Sequence, residues 1–156
     1  MKRILIVGAG GQIGSELTVY LRKIYGTNNV VATDVRDCER LREQGPFEVL
    51  NALDPVAYAS AVARNKIDTI FNLVALLSAV GGRNPQMGWN INMGALMNSL
   101  EVARQHHCAL FTPSSIGAFG PTSPKDMTPQ DTVMRPTTIY GVCKVTGEML
   151  SDYYYS

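Results

Sequence analysis

Residues 4–14 of the chain read ILIVGAGGQIG, and this stretch decides the fold. Its four leading apolar residues, three of them β-branched, predict a strand that is buried on both faces. Gly8 suits a tight turn after the strand, Gly11 leaves the backbone open to a close approach, and Gly14 lets a helix lie against the strand. Glycines also serve strand–helix junctions without a ligand, but the whole pattern indicates a βαβ unit whose free helix amides face the pyrophosphate of a dinucleotide.

Composition and charge exclude several classes of partner. The 156 residues suit one domain, and the formal net charge is +1 with scattered Lys and Arg, so we expect neither nucleic acid nor a membrane surface as a partner. The three cysteines lack metal-ligand spacing, which predicts reduced thiols inside the cell and no metal site. A strand that begins by Ile4 leaves no room for a cleavable signal, and no apolar run approaches the roughly twenty residues of a membrane span. We therefore expect a soluble protein of the cytoplasm or the mitochondrial matrix.

The first acidic residue of interest is Asp34. It ends a predicted second strand at residues 30–33 and follows Gly14 by twenty positions. A carboxylate at this place in a dinucleotide fold accepts the ribose hydroxyls of the adenosine and repels a 2′-phosphate, so Asp34 favours NAD over NADP. Two alternatives stay open: Asp34 only caps a turn, or Arg36 nearby admits NADP.

The rest of the chain alternates between predicted strands and helices. We expect strands at 47–50, within 67–75 and at 109–113, and helices at about 13–24, 55–65, 89–105 and 139–155. We also expect an irregular connection or short helix at 36–46, and loops at 76–85 and 116–135. Asp54 and Pro55 give the second of these helices an N-cap and a first residue. The alternation predicts a doubly wound parallel α/β sheet, which is the Rossmann-like NAD-binding fold.

Asparagines mark places where a strand or helix approaches a ligand. Asn51 follows the third strand, where an adenine-facing side chain lies in this architecture, and Asn72 indicates that the fourth strand approaches the ligand edge. Asn92 and Asn98 lie inside the long helix, where asparagine is unusual. Each either faces solvent or holds a backbone carbonyl or a water near a cofactor.

The chemistry is predicted to lie with Ser115, Tyr140 and Lys144. Tyr140 and Lys144 are four residues apart on a helix, so they share one face. A nearby ammonium favours the ionised form of a phenol, and the phenolate is the form that can accept a proton. Ser115 follows the fifth strand, where its hydroxyl can bond the same substrate oxygen and stabilise its developing charge.

These residues together resemble the extended short-chain dehydrogenase/reductase family. The matching features are the spacing GxxGxxG, the acidic residue that selects NAD, the catalytic trio and a helix asparagine, at Gly8, Gly11, Gly14, Asp34, Ser115, Tyr140, Lys144 and Asn92. Within this family, three stretches are similar to the epimerase-like L-threonine 3-dehydrogenases: residues 75–81 (ALLSAVG), 113–124 (PSSIGAFGPTSP) and 135–141 (RPTTIYG).

The resemblance implies an NAD-dependent dehydrogenase that oxidises L-threonine at its β-hydroxyl to 2-amino-3-ketobutyrate. Tyr140 would take the hydroxyl proton, Lys144 would favour the phenolate and hold the nicotinamide ribose, and Ser115 would orient the hydroxyl. The resemblance places Asn92 with these catalytic residues and gives an amino-acid pocket lined by Ser78 and Ala79. It implies cofactor contacts from Gly8, Gly11, Gln12, Ile13, Gly14, Asp34, Asn51, Leu53, Tyr140 and Lys144.

The resemblance also implies a homodimer and an incomplete architecture. The helices near residues 92–105 and 140–155 would pair, with Met97, Met149 and Tyr153 facing outward. Relatives carry a further stretch of similar size, so we expect residues 1–156 to form the NAD-binding domain with the catalytic trio, without the last strands and the substrate domain. The chain alone is then expected to be inactive.

Two other functions stay open at this stage. A nucleotide-sugar epimerase or dehydratase shares all the cofactor motifs, and a non-catalytic nucleotide-binding module would keep the fold without the trio's chemistry. The chain departs from the usual family pattern at three positions: Asn51 replaces an aspartate, Ala95 a glycine and Cys143 a serine. None of these departures alters the trio.

Overall fold

The computed structural model describes residues 2–155, which form five strands and six helices. The strands are β1 (Ile4–Val7), β2 (Val30–Asp34), β3 (Phe47–Val49), β4 (Thr69–Asn72) and β5 (Ala109–Phe111). The helices are α1 (Gln12–Tyr25), α2 (Glu39–Glu43), α3 (Pro55–Arg64), α4 (Ser78–Gly81), α5 (Pro85–His106) and α6 (Ile139–Tyr155). Single 3-10 turns lie at Thr27–Asn29 and Ile116–Ala118.

The strands form one parallel sheet in the order β3-β2-β1-β4-β5. The first strand is central: Val7 lies beside Thr33 of β2 and Asn72 of β4 at its carboxyl end. The chain therefore passes outward from β1 to one edge and then returns to build the other side. This reversal of strand order beside β1 is typical of Rossmann-like folds, and the predicted fold class is confirmed.

The strand β1 is buried from both sides, with all four residues 0% exposed. Leu5 and Val7 pack in one apolar cluster with Tyr58 of α3, while Ile4 and Ile6 pack in a second cluster with apolar residues of β2 and α1. Successive strand residues point to opposite faces, so the two clusters are two apolar layers, one on each side of the sheet. The predicted burial of this strand on both faces is confirmed.

The described residues form two compact units. The first comprises residues up to Val74 together with Gly94–Pro113, and it contains the whole sheet. The second comprises Ala75–Met93 together with residues from Ser114 onward, and it contains α4 and α6. No helix formed by residues 2–155 is long and apolar enough to cross a membrane.

Two helix starts follow the same rule of an Asx cap and a proline. The Asp54 side chain accepts hydrogen bonds from the amides of Val56 and Ala57 at 3.0 Å, so the predicted cap of α3 is confirmed. The helix α5 begins at Pro85 rather than near Trp89, because Asn84 Oδ1 accepts from the Met87 amide at 3.0 Å. The sequence signal for this earlier start, Asn84 before Pro85, was missed.

The predicted loops contain short helical turns. The helix α4 lies within the predicted loop 76–85. The Gly81 amide donates a hydrogen bond to the Leu77 carbonyl, and the Gly82 amide donates one to the Ser78 carbonyl. The turn Ile116–Ala118 lies in the predicted loop 116–135. Elements of one turn carry no helical periodicity, so pattern analysis could not find them. The strand β4 lies within the predicted span 67–75, and after its end the Asn72 side chain accepts from the Val74 amide at 3.3 Å.

Candidate functional site

In the first unit, the turn between β1 and α1 is held by hydrogen bonds to β2 and by close backbone packing at its glycines. The amides of Gly8 and Ala9 both donate to the Thr33 carbonyl of β2, at 2.9 and 2.8 Å. Gly8 has φ +85°, which few other residues adopt, and a Cβ at Gly14 would lie 2.4 Å from the Gly8 carbonyl oxygen. The first and third glycines of the motif are therefore required by the chain's own packing.

Gly11 is different, because the chain itself leaves it room. A Cβ at Gly11 would meet only the Gly8 carbonyl oxygen, at 3.4 Å, which is ordinary contact. Gly11 is the N-cap of α1, and no side chain of the described residues caps this helix. A helix start with open amides and no Cβ at its entrance fits a phosphate group, so these residues fit the pyrophosphate of a dinucleotide.

The Asp34 carboxylate lies over this turn. Its Oδ2 accepts from the Gly10 amide at 2.9 Å, and its Oδ1 accepts from the Arg36 amide at 3.2 Å. Asp34 thus caps a turn, as one interpretation predicted, yet each carboxylate oxygen keeps a further lone pair for a ribose hydroxyl. Gly10 was not recognised from the sequence, although a Cβ there would lie 2.9 Å from Asp34 Oδ2.

The other predicted cofactor contacts of this unit follow β3. Asn51 is exposed, and its Oδ1 accepts from the Leu53 amide at 3.0 Å. Asn98 of α5 donates from Nδ2 to the Ala52 carbonyl at 2.8 Å, so this helix asparagine holds a backbone carbonyl. Leu53 is 42% exposed beside these residues. Asn72, by contrast, is 2% exposed, and its Oδ1 accepts a hydrogen bond from the backbone amide of Val74, just after β4.

The second unit contains a cleft of about 510 Å³. Four of the predicted site residues line it together: Ser78, Ala79, Ser115 and Tyr140. Six further residues complete the lining, namely Leu77, Ile116, Gly117, Phe119, Thr137 and Thr138. The cleft therefore presents several hydroxyl groups beside apolar side chains, a combination that is typical of small-molecule sites.

Lys144 lies against the predicted base. Its Nζ is 5.5 Å from the centre of the Tyr140 ring and lies over the ring. Burial lowers the pKa of the Lys144 ammonium below its ordinary value, while Cys143 acts in the opposite direction. A partly desolvated positive charge acts more strongly on its neighbours than one in water, and the Tyr140 ring is such a neighbour.

Ser115 is held in place by the backbone beside Tyr140. Its Oγ accepts from the Gly117 amide at 3.1 Å and so caps the turn Ile116–Ala118. A Cβ at Gly117 would lie 3.3 Å from the Tyr140 ring, and a Cβ at Gly141 would lie 2.2 Å from the Gly117 carbonyl oxygen. The first turn of α6 thus packs directly on the Ser115 turn. Sequence analysis did not single out Gly117 and Gly141, because a close approach between distant residues leaves no local pattern.

Asn92 lies apart from the cleft lining but holds a neighbouring segment. Its Nδ2 donates to the Leu76 carbonyl at 3.1 Å, and its Oδ1 accepts from the Leu76 amide at 2.6 Å. Burial raises the pKa of the Cys143 thiol above its ordinary value, while the Asn92 side chain acts in the opposite direction. Asn92 therefore holds the backbone that leads into Leu77, Ser78 and Ala79, rather than facing solvent.

These features agree with comparisons to known proteins. The model of the NAD dependent epimerase/dehydratase family matches residues 4–156, so the chain belongs to this family. An uncharacterized epimerase/dehydratase of Staphylococcus saprophyticus is 52% identical over 99% of this chain and 49% of its own length.

Among solved structures, an L-threonine dehydrogenase from Clostridium difficile superposes with a TM-score of 0.96 at 52% identity, over 99% of this chain and 49% of that one. An L-threonine dehydrogenase from Cupriavidus necator in its holo form superposes with a TM-score of 0.95 at 49% identity, over 98% of this chain and 50% of that one. The predicted similarity to L-threonine 3-dehydrogenases is confirmed. The chain spans about half the length of these relatives.

Proposed function

We propose that this chain is the NAD-binding and catalytic part of an NAD-dependent dehydrogenase that oxidises L-threonine at its β-hydroxyl to 2-amino-3-ketobutyrate. The observation that carries the proposal is the cleft of the second unit, where Ser78, Ser115 and Tyr140 meet and Lys144 lies over the Tyr140 ring. Two similar proteins of known structure, at 52% and 49% sequence identity, are L-threonine dehydrogenases, which supports this substrate.

The proposed reaction assigns each residue one task. Ser115 donates a hydrogen bond to the substrate oxygen, and Tyr140 as phenolate takes the hydroxyl proton as the C–O bond gains double-bond character. Lys144 stabilises the phenolate and holds the nicotinamide ribose. Bound NAD supplies the acceptor for the hydride that leaves the β-carbon. One proton and one hydride leave the alcohol, which balances its conversion to the ketone.

The contacts to the adenosine and the pyrophosphate of NAD are proposed for the first unit, where the residues present fit these two groups. The open amides at the start of α1 would bind the pyrophosphate, and Gly11 leaves space for its approach. Asp34 would accept the adenosine ribose hydroxyls with lone pairs that its backbone partners leave available. Asn51, Leu53, Gln12 and Ile13 are proposed to complete the contacts.

A nucleotide-sugar epimerase or dehydratase is the second candidate. The observation in its favour is the family itself, since the Staphylococcus saprophyticus relative is described only as an uncharacterized epimerase/dehydratase. Such an enzyme would use the same cofactor motifs and the same trio. The two candidates differ in what the cleft of the second unit must admit: a small amino acid or the sugar of a much larger nucleotide.

The test consists of two assays. One follows NADH formation at 340 nm with L-threonine, and the other follows the conversion of UDP-glucose to another UDP-sugar. Because the relatives are about twice as long, the assay compares this chain alone with this chain continued by the second half of the Clostridium difficile enzyme. We expect threonine-dependent NADH from the continued protein, none from the chain alone, and roughly a hundredfold less, or lower still, from the Tyr140→Phe variant of the continued protein. Conversion of UDP-glucose without threonine oxidation would refute the proposed substrate.

A further inference from the structure

Glu148 makes a contact that the proposed reaction does not use. It follows Lys144 by four residues and Tyr140 by eight, so all three lie on one side of α6. The Ser114 hydroxyl donates to Glu148 Oε1, and Ser114 directly precedes Ser115. Hydrogen bonds to a carboxylate are stronger than those between neutral groups, and this one joins residues 34 positions apart in the chain.

The segment that carries Ser115 is attached to α6 at two places. At the first turn of α6, Gly141 packs against Gly117 so closely that a Cβ would lie 2.2 Å from the carbonyl oxygen. Two turns later, Glu148 binds Ser114. Ser115 lies between the two attachments, and its Oγ accepts from the Gly117 amide at 3.1 Å. The first attachment is steric, and the second is a single hydrogen bond that one substitution removes.

We propose that Glu148 is a positioning residue, which binds Ser114 and thereby keeps the Ser115 hydroxyl within reach of the substrate oxygen beside Tyr140; the catalytic part of this inference rests on the proposed function. Glu148 does not line the cleft, so it acts through Ser114 and not on the substrate. Without it, the segment loses this attachment, and Ser115 can rotate away from Tyr140.

The first test measures position without turnover. Amide hydrogen exchange of Gly117, followed by NMR on the 156-residue chain, reports whether Ser115 Oγ still accepts the Gly117 proton. Glu148→Ala and Ser114→Ala should each raise this exchange rate by about threefold or more, whereas Glu148→Gln, which keeps an acceptor, should restore most of the protection. Glu16→Ala, which removes an exposed carboxylate on α1, is the matched control and should leave the rate unchanged.

The second test measures catalysis in the continued protein, in which this chain is joined to the second half of the Clostridium difficile enzyme. Glu148→Ala should lower kcat by about tenfold and leave KM for threonine and Kd for NAD unchanged. The double variant Ser114→Ala/Glu148→Ala should be no slower than either single variant, because both remove the same bond. Glu148→Gln should recover most of kcat.

The two tests separate failure of the positioning role from failure of the proposed function. Unchanged Gly117 exchange in Glu148→Ala, or additive losses in the double variant, would overturn the positioning role. Equal losses of kcat and thermal stability in Glu148→Ala and Glu148→Gln would also overturn it, since they indicate a general structural defect. If the unaltered protein forms no NADH from threonine, the proposed function fails, and the exchange measurement still decides whether Glu148 positions Ser115.

Discussion

Asn92 binds both the amide and the carbonyl of Leu76 with the two ends of one carboxamide, at 2.6 and 3.1 Å. A side chain that donates to and accepts from the same residue imitates the pairing of a neighbouring strand. This pairing occurs just after the sheet ends and directly before the segment that supplies Leu77, Ser78 and Ala79 to the cleft. The shape of one cleft wall therefore depends on a residue of α5 that is outside the lining.

Asn92→Asp should disturb this wall, because a carboxylate cannot donate to the Leu76 carbonyl and instead repels it. We expect KM for threonine to rise by roughly tenfold and the free energy of unfolding to fall by about 1–2 kcal/mol, while Kd for NAD changes little. Steady-state kinetics and urea denaturation measure the two effects. Asn98→Asp, which alters a similar carboxamide bond to Ala52, is the control and should leave KM for threonine unchanged.

Cofactor choice should follow Asp34. Asp34→Ala removes a carboxylate that is proposed to bind the ribose hydroxyls, so NAD binding should weaken by about 1.5–3 kcal/mol and the relative preference for NADP should rise. Titration of both cofactors checks this, with Asp37→Ala as an exposed control whose partner is Arg42. If the preference stays the same, Asp34 only holds the turn through Gly10.

Turnover should depend on Tyr140 far more than cofactor binding does. Tyr140→Phe keeps the ring under the Lys144 ammonium but removes the proton acceptor, so kcat should fall by roughly a hundredfold or more with Kd for NAD unchanged. Lys144→Met should weaken both. Tyr155→Phe on the same helix is the control, since Tyr155 is 94% exposed. Near-normal turnover in Tyr140→Phe would mean that another group takes the proton.

Alkaline pH should destabilise the fold through Tyr58. This phenol is fully buried and bonds Ser99 Oγ at 3.0 Å; burial raises its pKa well above the ordinary value for tyrosine. The folded chain therefore keeps a proton that the unfolded chain loses above about pH 10, so this contribution to stability is full below pH 10 and is lost as the pH rises further. Urea midpoints between pH 8 and 11 should fall less steeply in Tyr58→Phe.

The same substitution tests the geometry of that hydrogen bond. Ser99 Oγ donates to the Ala95 carbonyl at 2.7 Å, so the Tyr58 hydroxyl must be the donor toward Ser99. Removing the hydroxyl leaves no buried donor without a partner, and Tyr58→Phe should cost only about 1 kcal/mol at neutral pH. A loss of several kcal/mol would show that the hydroxyl has a further role.

Self-association is predicted through α6. Met149 and Tyr153 are 68% and 75% exposed on this helix, and the family resemblance implies a homodimer that uses it. Sedimentation velocity of the continued protein from the activity assay should give a dimer at micromolar concentration, and Met149→Glu with Tyr153→Ser should shift it toward monomer. Lys23→Glu, on α1, is the control. A monomer before substitution would rule the dimer out.

The sequence predicted best what depends on neighbours along the chain. The strand at Ile4, the glycine turn and the Asp54 cap all followed from local patterns, because burial periodicity and capping act over a few residues. The positions of Ser115 and Tyr140 on a strand end and a helix were predicted in the same way. Their meeting with Ser78 in one cleft was implied by the family resemblance and not by the residues themselves.

The parts that escaped prediction depend on contacts between distant residues or on very short elements. The bond of Asp34 to Gly10 and that of Ser114 to Glu148 join residues 24 and 34 positions apart. Thr137 and Thr138 enter the cleft because the first turn of α6 packs on the turn after Ser115. The helix α4 has only four residues, too few to show a repeat.

Position 141 limits how this site can be redesigned. Gly141 stands between Tyr140 and Lys144, and a Cβ there would lie 2.2 Å from the Gly117 carbonyl oxygen and 2.5 Å from Pro136 Cβ. In a library that randomises this codon, only clones with glycine should be active. The other variants should be inactive because they misfold and not because their chemistry is altered. Directed evolution toward larger hydroxy acids should therefore vary Thr137 and Phe119, whose side chains line the cleft.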